Sequence, residues 1–414
     1  MCLISAVVLS VLAGCSGGSS EGSGKVPEAG QAAGPAARAK AFDPPLKFGE
    51  GVKPEYDEDV KTRGFALLGP RAYIRTDAGL DAYDVATGKK IWSSALVREG
   101  RYTGTAGEDL DDRQIPPVFV EQGDRTVALY AYSDHTKGTG TAVDRTDVYL
   151  RAVDADSGKV SWTTQLPAAT GMGVGDMEPV VVGAQDGTVI VMALTSLEES
   201  SGDGESAVTY AVDVGTQRVK WQEQGFAASA VDSGIVAGAQ VGDGAGFQSL
   251  LGWSADEDPL TLTGRSVTDG SVSWKDEGSR GLVMDPVGGG LFVSNFALHD
   301  IRTGKPAAGV DGGDMLSCYY DQQSVVVCEG DDYVWGVEAS SRKVLWEISG
   351  ENPARKLPSI EGALHGVVYG STPDRVILDA KTGKDKTTFT GPSLYLVNEY
   401  AAMDIDMVTY PATG

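Results

Sequence analysis

Cysteine, histidine and positive charge are all scarce in this chain. Its 414 residues include 4 Cys, 3 His and 34 Lys plus Arg against 58 Asp plus Glu, a formal net charge of −24. His135, His299 and His365 lie far apart, with none at the spacing of a metal-binding motif. So acidic a shell argues against nucleic acid and anionic lipid head groups as partners. It favours cationic partners or simply keeps the chain in solution, and the solvated surface is the simpler reading. No apolar run reaches the length needed to cross a bilayer. No glycine-rich phosphate loop precedes a helix. Gly14-Cys15-Ser16-Gly17-Gly18 matches the Gly-x-Ser-x-Gly pattern but has no strand–turn–helix context. Asp154-x-Asp156-x-Gly158 lacks the remaining ligands and the distal Glu of a calcium loop.

What the chain does contain is a phrase that returns. Asp84-Val-Ala-Thr87-Gly88-Lys89-Lys-Ile-Trp92 is followed by Asp154-Ala-Asp-Ser157-Gly158-Lys159-Val-Ser-Trp162. Weaker copies surround Gln217, Gly270, Gly304, Arg342 and Gly383. Aligned on the glycine column, an acid stands four residues upstream in six of the seven copies. A Trp stands four residues downstream in five: Trp92, Trp162, Trp221, Trp274 and Trp346. Self-similarity at this spacing is the mark of a repeat architecture. Short β-rich runs bounded by Gly, Asp and Thr flank each copy and read as antiparallel strands joined by tight turns. Gly supplies the positive φ of such a turn, Asp bonds the backbone ahead of it, and the Trp packs between neighbouring sheets. The fold class is therefore all-β: one propeller of four-stranded antiparallel blades.

Seven turns are visible. After the last, the runs beginning at Ser393, Tyr400 and Met407 supply three further strands and no fourth. The extended Pro45–Phe48 stretch is unassigned at the other end. Joining the two makes an eighth blade that closes the ring and removes its open edges. Seven blades is the alternative.

The Asp…Thr-Gly-Lys…Trp phrase resembles the quinoprotein-type, or PQQ-like, propeller repeat over nearly all of residues 60–411. Two copies depart from it by lacking the Trp, with Ala308 and Thr387 in its place. The quinone-dependent dehydrogenases of that group commonly carry adjacent cysteines, a calcium site and a catalytic Asp, some with a Cys-x-x-Cys-His haem site. This chain has neither adjacent cysteines nor Cys-x-x-Cys-His. Catalysis is thus unsupported, and no cofactor is expected. In architecture the chain resembles the non-catalytic propeller lipoproteins of the β-barrel assembly machine (BamB-type). That resemblance implies a scaffold that binds protein partners through its loops. The alternative is a quinoprotein-like oxidoreductase or small-ligand sensor using the axial cavity, with the quinone and calcium as its cofactors.

Residues 1–14 carry a short apolar core that fits a signal peptide, and Leu12-Ala13-Gly14-Cys15 resembles a bacterial lipobox. Cleavage before Cys15 and diacylation of its thiol would anchor the protein to the outer side of the cell membrane. Residues 15–41 read as a flexible tether of Ser, Gly, Ala and Pro with a reach of ~25–30 Å. The propeller then occupies 42–414. Cys318 and Cys328 flank a hairpin centred near Gln323 and are either a disulfide, permitted after export, or two buried thiols.

Four insertions remain: 99–113, 133–147, 198–205 and 242–258. All fall on connections that belong to one propeller face. The last contains Phe247, Leu250, Leu251 and Trp253 among acids. An apolar segment rimmed by charge has the composition of an interface, and equally of a plug for the central opening.

Overall fold

The computed structural model describes residues 39–57, 60–96, 115–136, 138–141, 145–168, 177–195, 206–240, 261–276, 284–294, 296–313 and 315–414. Their strands form seven four-stranded sheets and one three-stranded sheet, every neighbouring pair antiparallel and consecutive in sequence. The blades span 62–95, 118–165, 177–224, 226–276, 284–311, 317–349, 359–388 and 396–411. Within each, strands a to d follow sequence order from the axis outward.

The three-stranded sheet is completed from the far end of the chain. Val52 bridges Thr409 and Phe48 bridges Ala412, both antiparallel. The Val52 amide donates to the Thr409 carbonyl at 2.7 Å, the Thr409 amide returns the bond at 2.9 Å, and Gly49 donates to Pro411 at 2.8 Å. The ring thus has eight blades, with 46–52 as the outer strand of the eighth. The Asn398 side-chain amide then ties this blade to the first through the Gly69 carbonyl, 2.9 Å away.

Among the described residues no core is shared by the whole ring. The buried apolar residues fall into eight clusters, and each cluster straddles one of the eight gaps between neighbouring blades. What joins blade to blade is visible in the repeated turn. All seven residues of the glycine column have positive φ, between 59° and 73°, including Gln217 and Arg342. In each copy the amide of that residue donates to the carbonyl four residues back, at 2.7–2.9 Å. Where an Asp stands there, its carboxylate accepts from the turn ahead; Asp154 takes both the amide and the hydroxyl of Ser157, at 2.8 and 2.6 Å.

The left-handed turn presents a flat, side-chain-free surface, and the Trp of the preceding blade lies on it. A Cβ added to Gly158, Gly270, Gly304 or Gly383 would come within 2.4–2.8 Å of Trp92, Trp221, Trp274 or Trp346 respectively. Each of these indoles donates Nε1–H to a carbonyl of the same turn: Ala155, Val267, Ile301 and Ala380, at 2.7–3.2 Å. The indole also needs room on its own sheet. Ala82, Ala152, Ala211, Gly264 and Gly336 stand opposite the five tryptophans on strand c. Where Thr387 replaces the Trp, its partner is the large Ile377.

The degenerate copies are compensated individually. Trp162 faces Gln217, which carries a side chain, and Gln122 mediates: it accepts from the indole at 3.3 Å and donates to the Val214 carbonyl at 3.0 Å. Blade 5 lacks its Trp, and Arg342 of blade 6 reaches back instead to Asp300, Gly289 and Gly290 at 2.8–3.0 Å. Blade 7 lacks its Trp too, and Phe48, Tyr369 and Phe389 fill that seam with ring centroids 5.9–6.2 Å apart.

Trp162→Ala removes a buried ring and costs about 3–5 kcal/mol in urea unfolding, whereas Trp346→Phe, which loses the Nε1–H bond to Ala380, costs about 1 kcal/mol from the hydrogen bond. The Ser157 hydroxyl holds the Asp154 carboxyl below its ordinary value, and the Thr216 amide does the same for Asp213. Burial raises Asp379, but bonds from Thr382 and the nearby Lys386 outweigh it. A depressed carboxyl stabilises the fold above its unfolded value, near pH 4, and that contribution is lost as pH falls through the folded value. The urea midpoint therefore drops between pH 5 and pH 2, and it drops less steeply in Asp154→Asn.

Candidate interaction face

Antiparallel alternation gives the ring two faces. The a–b and c–d turns lie on one, and the b–c and d–a connections on the other. The turn face is polar: Lys89, Asp156, Lys159, Arg302, Thr303, Lys381 and Lys384 are all exposed there.

The opposite face receives the insertions. They join Ala95 to Val118, Thr136 to Arg145, Thr195 to Ser206 and Gln240 to Thr261, which are d–a of blades 1 and 2 and b–c of blades 2, 3 and 4. Phe247, Leu250, Leu251 and Trp253 lie outside the described residues, as do Cys15, residues 1–14 and residues 15–38 of the tether. Packing of the propeller begins at Ala39, against the seam of blades 8 and 1.

The described part of this face has its own apolar tips. Five of the exposed large apolar side chains, Ile91, Val160, Val272, Val344 and Leu345, sit on outermost strands. The other four are Phe296 at 49%, Met315 at 49%, Tyr395 at 42% and Ile405 at 56% exposure. Phe296 is in the b–c turn of blade 5 and Ile405 in that of blade 8. Met315 and Tyr395 are in d–a connections. All four therefore share the insertion-bearing face, and each stands where burial on association would release ordered water.

Two further features lie on this side. A cavity of about 580 Å³ at the seam of blades 8 and 1 is lined by Lys53, Tyr56, Lys61, Ile405 and Met407, among others. Near the axis of blades 6 and 7, Glu361 pairs with Arg375 and accepts from the Leu394 amide at 2.9 Å. Glu329 accepts from the Ile360 amide at 2.7 Å, and burial pushes its carboxyl up, with Glu361 adding to the rise. Close by, Cys318 and Cys328 stand directly opposite each other on strands a and b of blade 6, and their sulfurs are bonded.

The histidines have separate fates. His299 is buried between the carbonyls of Gly304 and Ser294, at 3.0 and 3.2 Å, and stacks on Phe292. His135 contacts the Thr146 hydroxyl at 3.2 Å. His365 meets Asp43 and Glu399, a grouping that sequence reasoning missed because 322 residues separate His365 from Asp43. Asp156 of the calcium-like triplet is engaged by Arg71 at 2.6 Å. Among the described residues no helix is long and apolar enough to cross a membrane.

Fold and repeat together define the class: an eight-bladed β-propeller of four-stranded antiparallel blades. No family model matches the sequence, and a search of curated proteins finds no relative. Solved structures with similar folds include BamB from Moraxella catarrhalis, 16% identical, covering 88% of this chain and 96% of that one with a TM-score of 0.45. Quinohemoprotein alcohol dehydrogenase from Comamonas testosteroni is 13% identical and covers 87% of this chain and 72% of that one, TM-score 0.38. Sqt1 of Saccharomyces cerevisiae is 10% identical, covering 91% and 98%, TM-score 0.40.

Because the Phe296 and Ile405 side chains are about half exposed, Phe296→Asp and Ile405→Asp each change unfolding free energy by less than about 0.5 kcal/mol. Both lower the uptake of a hydrophobic dye by the native protein.

Proposed function

We propose that this protein is a non-catalytic, extracytoplasmic scaffold, held to the membrane through lipid on Cys15, that docks protein partners on its b–c and d–a face. The observation that carries the reading is the segregation of apolar tips. Phe296, Met315, Tyr395 and Ile405 share one face with all four insertions, one of which contains Phe247 and Trp253. Loops tolerate insertion at little cost in stability, and binding surfaces are built on them. An interface core is apolar and aromatic within a charged rim, and the four exposed apolar tips of this face supply such apolar groups. The net charge of −24 repels polyanions, so nucleic acid is not among the partners.

The test is photo-crosslinking in cells from positions 247, 296 and 405, with position 303 on the turn face as control. A discrete protein adduct from the first three and none from 303 is expected. Adducts at equal yield from 303, or none from any position, would refute docking by this face. Independently, Cys15→Ser moves the protein from the membrane fraction to the soluble fraction.

A further inference from the structure

We propose that Asp43, His365 and Glu399 form a binding site for a divalent transition metal, of the zinc, nickel or copper type, that clips the start of the propeller chain onto blades 7 and 8. Three segments converge there: the stretch before the closing strand, the a–b turn of blade 7 and the a–b turn of blade 8. One donor atom from each residue lies within 4.8 Å of the others. His365 Nδ1 is 3.9 Å from Glu399 Oε1 and in hydrogen-bond contact with Asp43 Oδ1. A tetrahedral ion with bonds of ~2.0–2.2 Å holds its donors ~3.3–3.6 Å apart, so side-chain rotation alone brings all three into range.

The backbones beneath these donors are already fixed. His365 adopts φ 42°, and its amide donates to the Asp321 carbonyl at 2.7 Å. The Glu399 carbonyl accepts from the Phe42 amide at 2.7 Å, and the Asn398 side chain caps the same turn through Tyr400 and Ala401, at 2.9 and 3.0 Å. On the Asp43 side, the Tyr369 hydroxyl holds the Pro45 carbonyl at 2.8 Å. A metal would therefore meet a site whose ordering entropy has already been spent on folding.

Charge points the same way. Among the described residues neither carboxylate has a Lys or Arg salt-bridge partner; His365 is the ionic contact of both. Lys40, three residues before Asp43, lies over the Phe42 ring at 4.9 Å. Two carboxylates against one imidazole leave a deficit of positive charge that a divalent ion fills. One nitrogen and two oxygens suit zinc, nickel and copper, whereas calcium prefers oxygen alone. Three protein ligands leave a coordination position for water or an external donor. The donors are partly exposed, so the ion can enter from solvent.

The experiment is calorimetric titration of the full-length protein in detergent with ZnCl₂, repeated with NiCl₂ and CuCl₂. One saturable equivalent is expected, with affinity lowered at least tenfold in both His365→Gln and Glu399→Gln. Folding of each variant is checked by thermal melting. Hydrogen exchange of the unsubstituted protein supplies a second readout: zinc slows exchange at the amides of Phe42, Asp43 and residues 399–401 and leaves blade 3 unchanged. Absence of a one-equivalent event with all three metals would overturn the site. So would equal uptake by wild type and both variants, which is diffuse binding to surface carboxylates. Neither outcome bears on docking at the opposite face.

Discussion

The structure depends on one contact, made at four of the eight seams: an indole laid flat on the left-handed turn of the next blade. A blade alone is a small twisted sheet with two faces to cover, and its apolar residues are buried only by its neighbours. The clusters in the eight gaps supply the bulk of that burial. Such packing is non-directional, and it does not by itself fix one blade's rotation against the next. The tryptophan does, because its ring requires a bare turn on one side and its Nε1–H requires a particular carbonyl. Positive φ at the glycine column meets the first requirement, and the carbonyl following the acid meets the second.

Where the lock is missing, its logic persists. Arg342 occupies a left-handed position that an L residue enters at a cost of about 1–2 kcal/mol. It regains that through one ion pair and two carbonyls of a blade that has no indole to offer. At Gln217 the side chain is accommodated because Gln122 relays the indole's bond to Val214. A sequence can therefore drift from the repeat consensus at one blade provided the contact across the gap is remade by other atoms.

The architecture was legible because the parts of the lock recur as one short phrase: acid, left-handed residue and Trp lie within nine residues of each other, although each Trp rests on the turn of the next blade. Eight-fold closure was legible from what was left over at the two ends, three strands without a fourth. The small residue opposite each Trp, Ala82, Ala152, Ala211, Gly264 or Gly336, also had a signal, two positions before the acid column, and went unread. The Asp43, His365 and Glu399 group had none, since it exists only once the ring is shut. The four apolar tips fall between these cases. Met315 and Ile405 are unremarkable in sequence, and become a set only when strand order assigns them to one face.

Closure also orders events in time. Val52 and Thr409 are partners across nearly the whole length of the propeller, and the earlier strand is synthesised hundreds of residues before the later one. Until residues 409–414 emerge, segment 46–52 has no mate, the state in which strands recruit wrong partners, and the apolar face of blade 1 is uncovered. Contacts this far apart in sequence also form slowly, because a long loop must close before they repay it. The seam that completes the molecule is thus the last to be made, and a chain shortened by a few residues at that point would leave seven blades folded and a ring that never shuts.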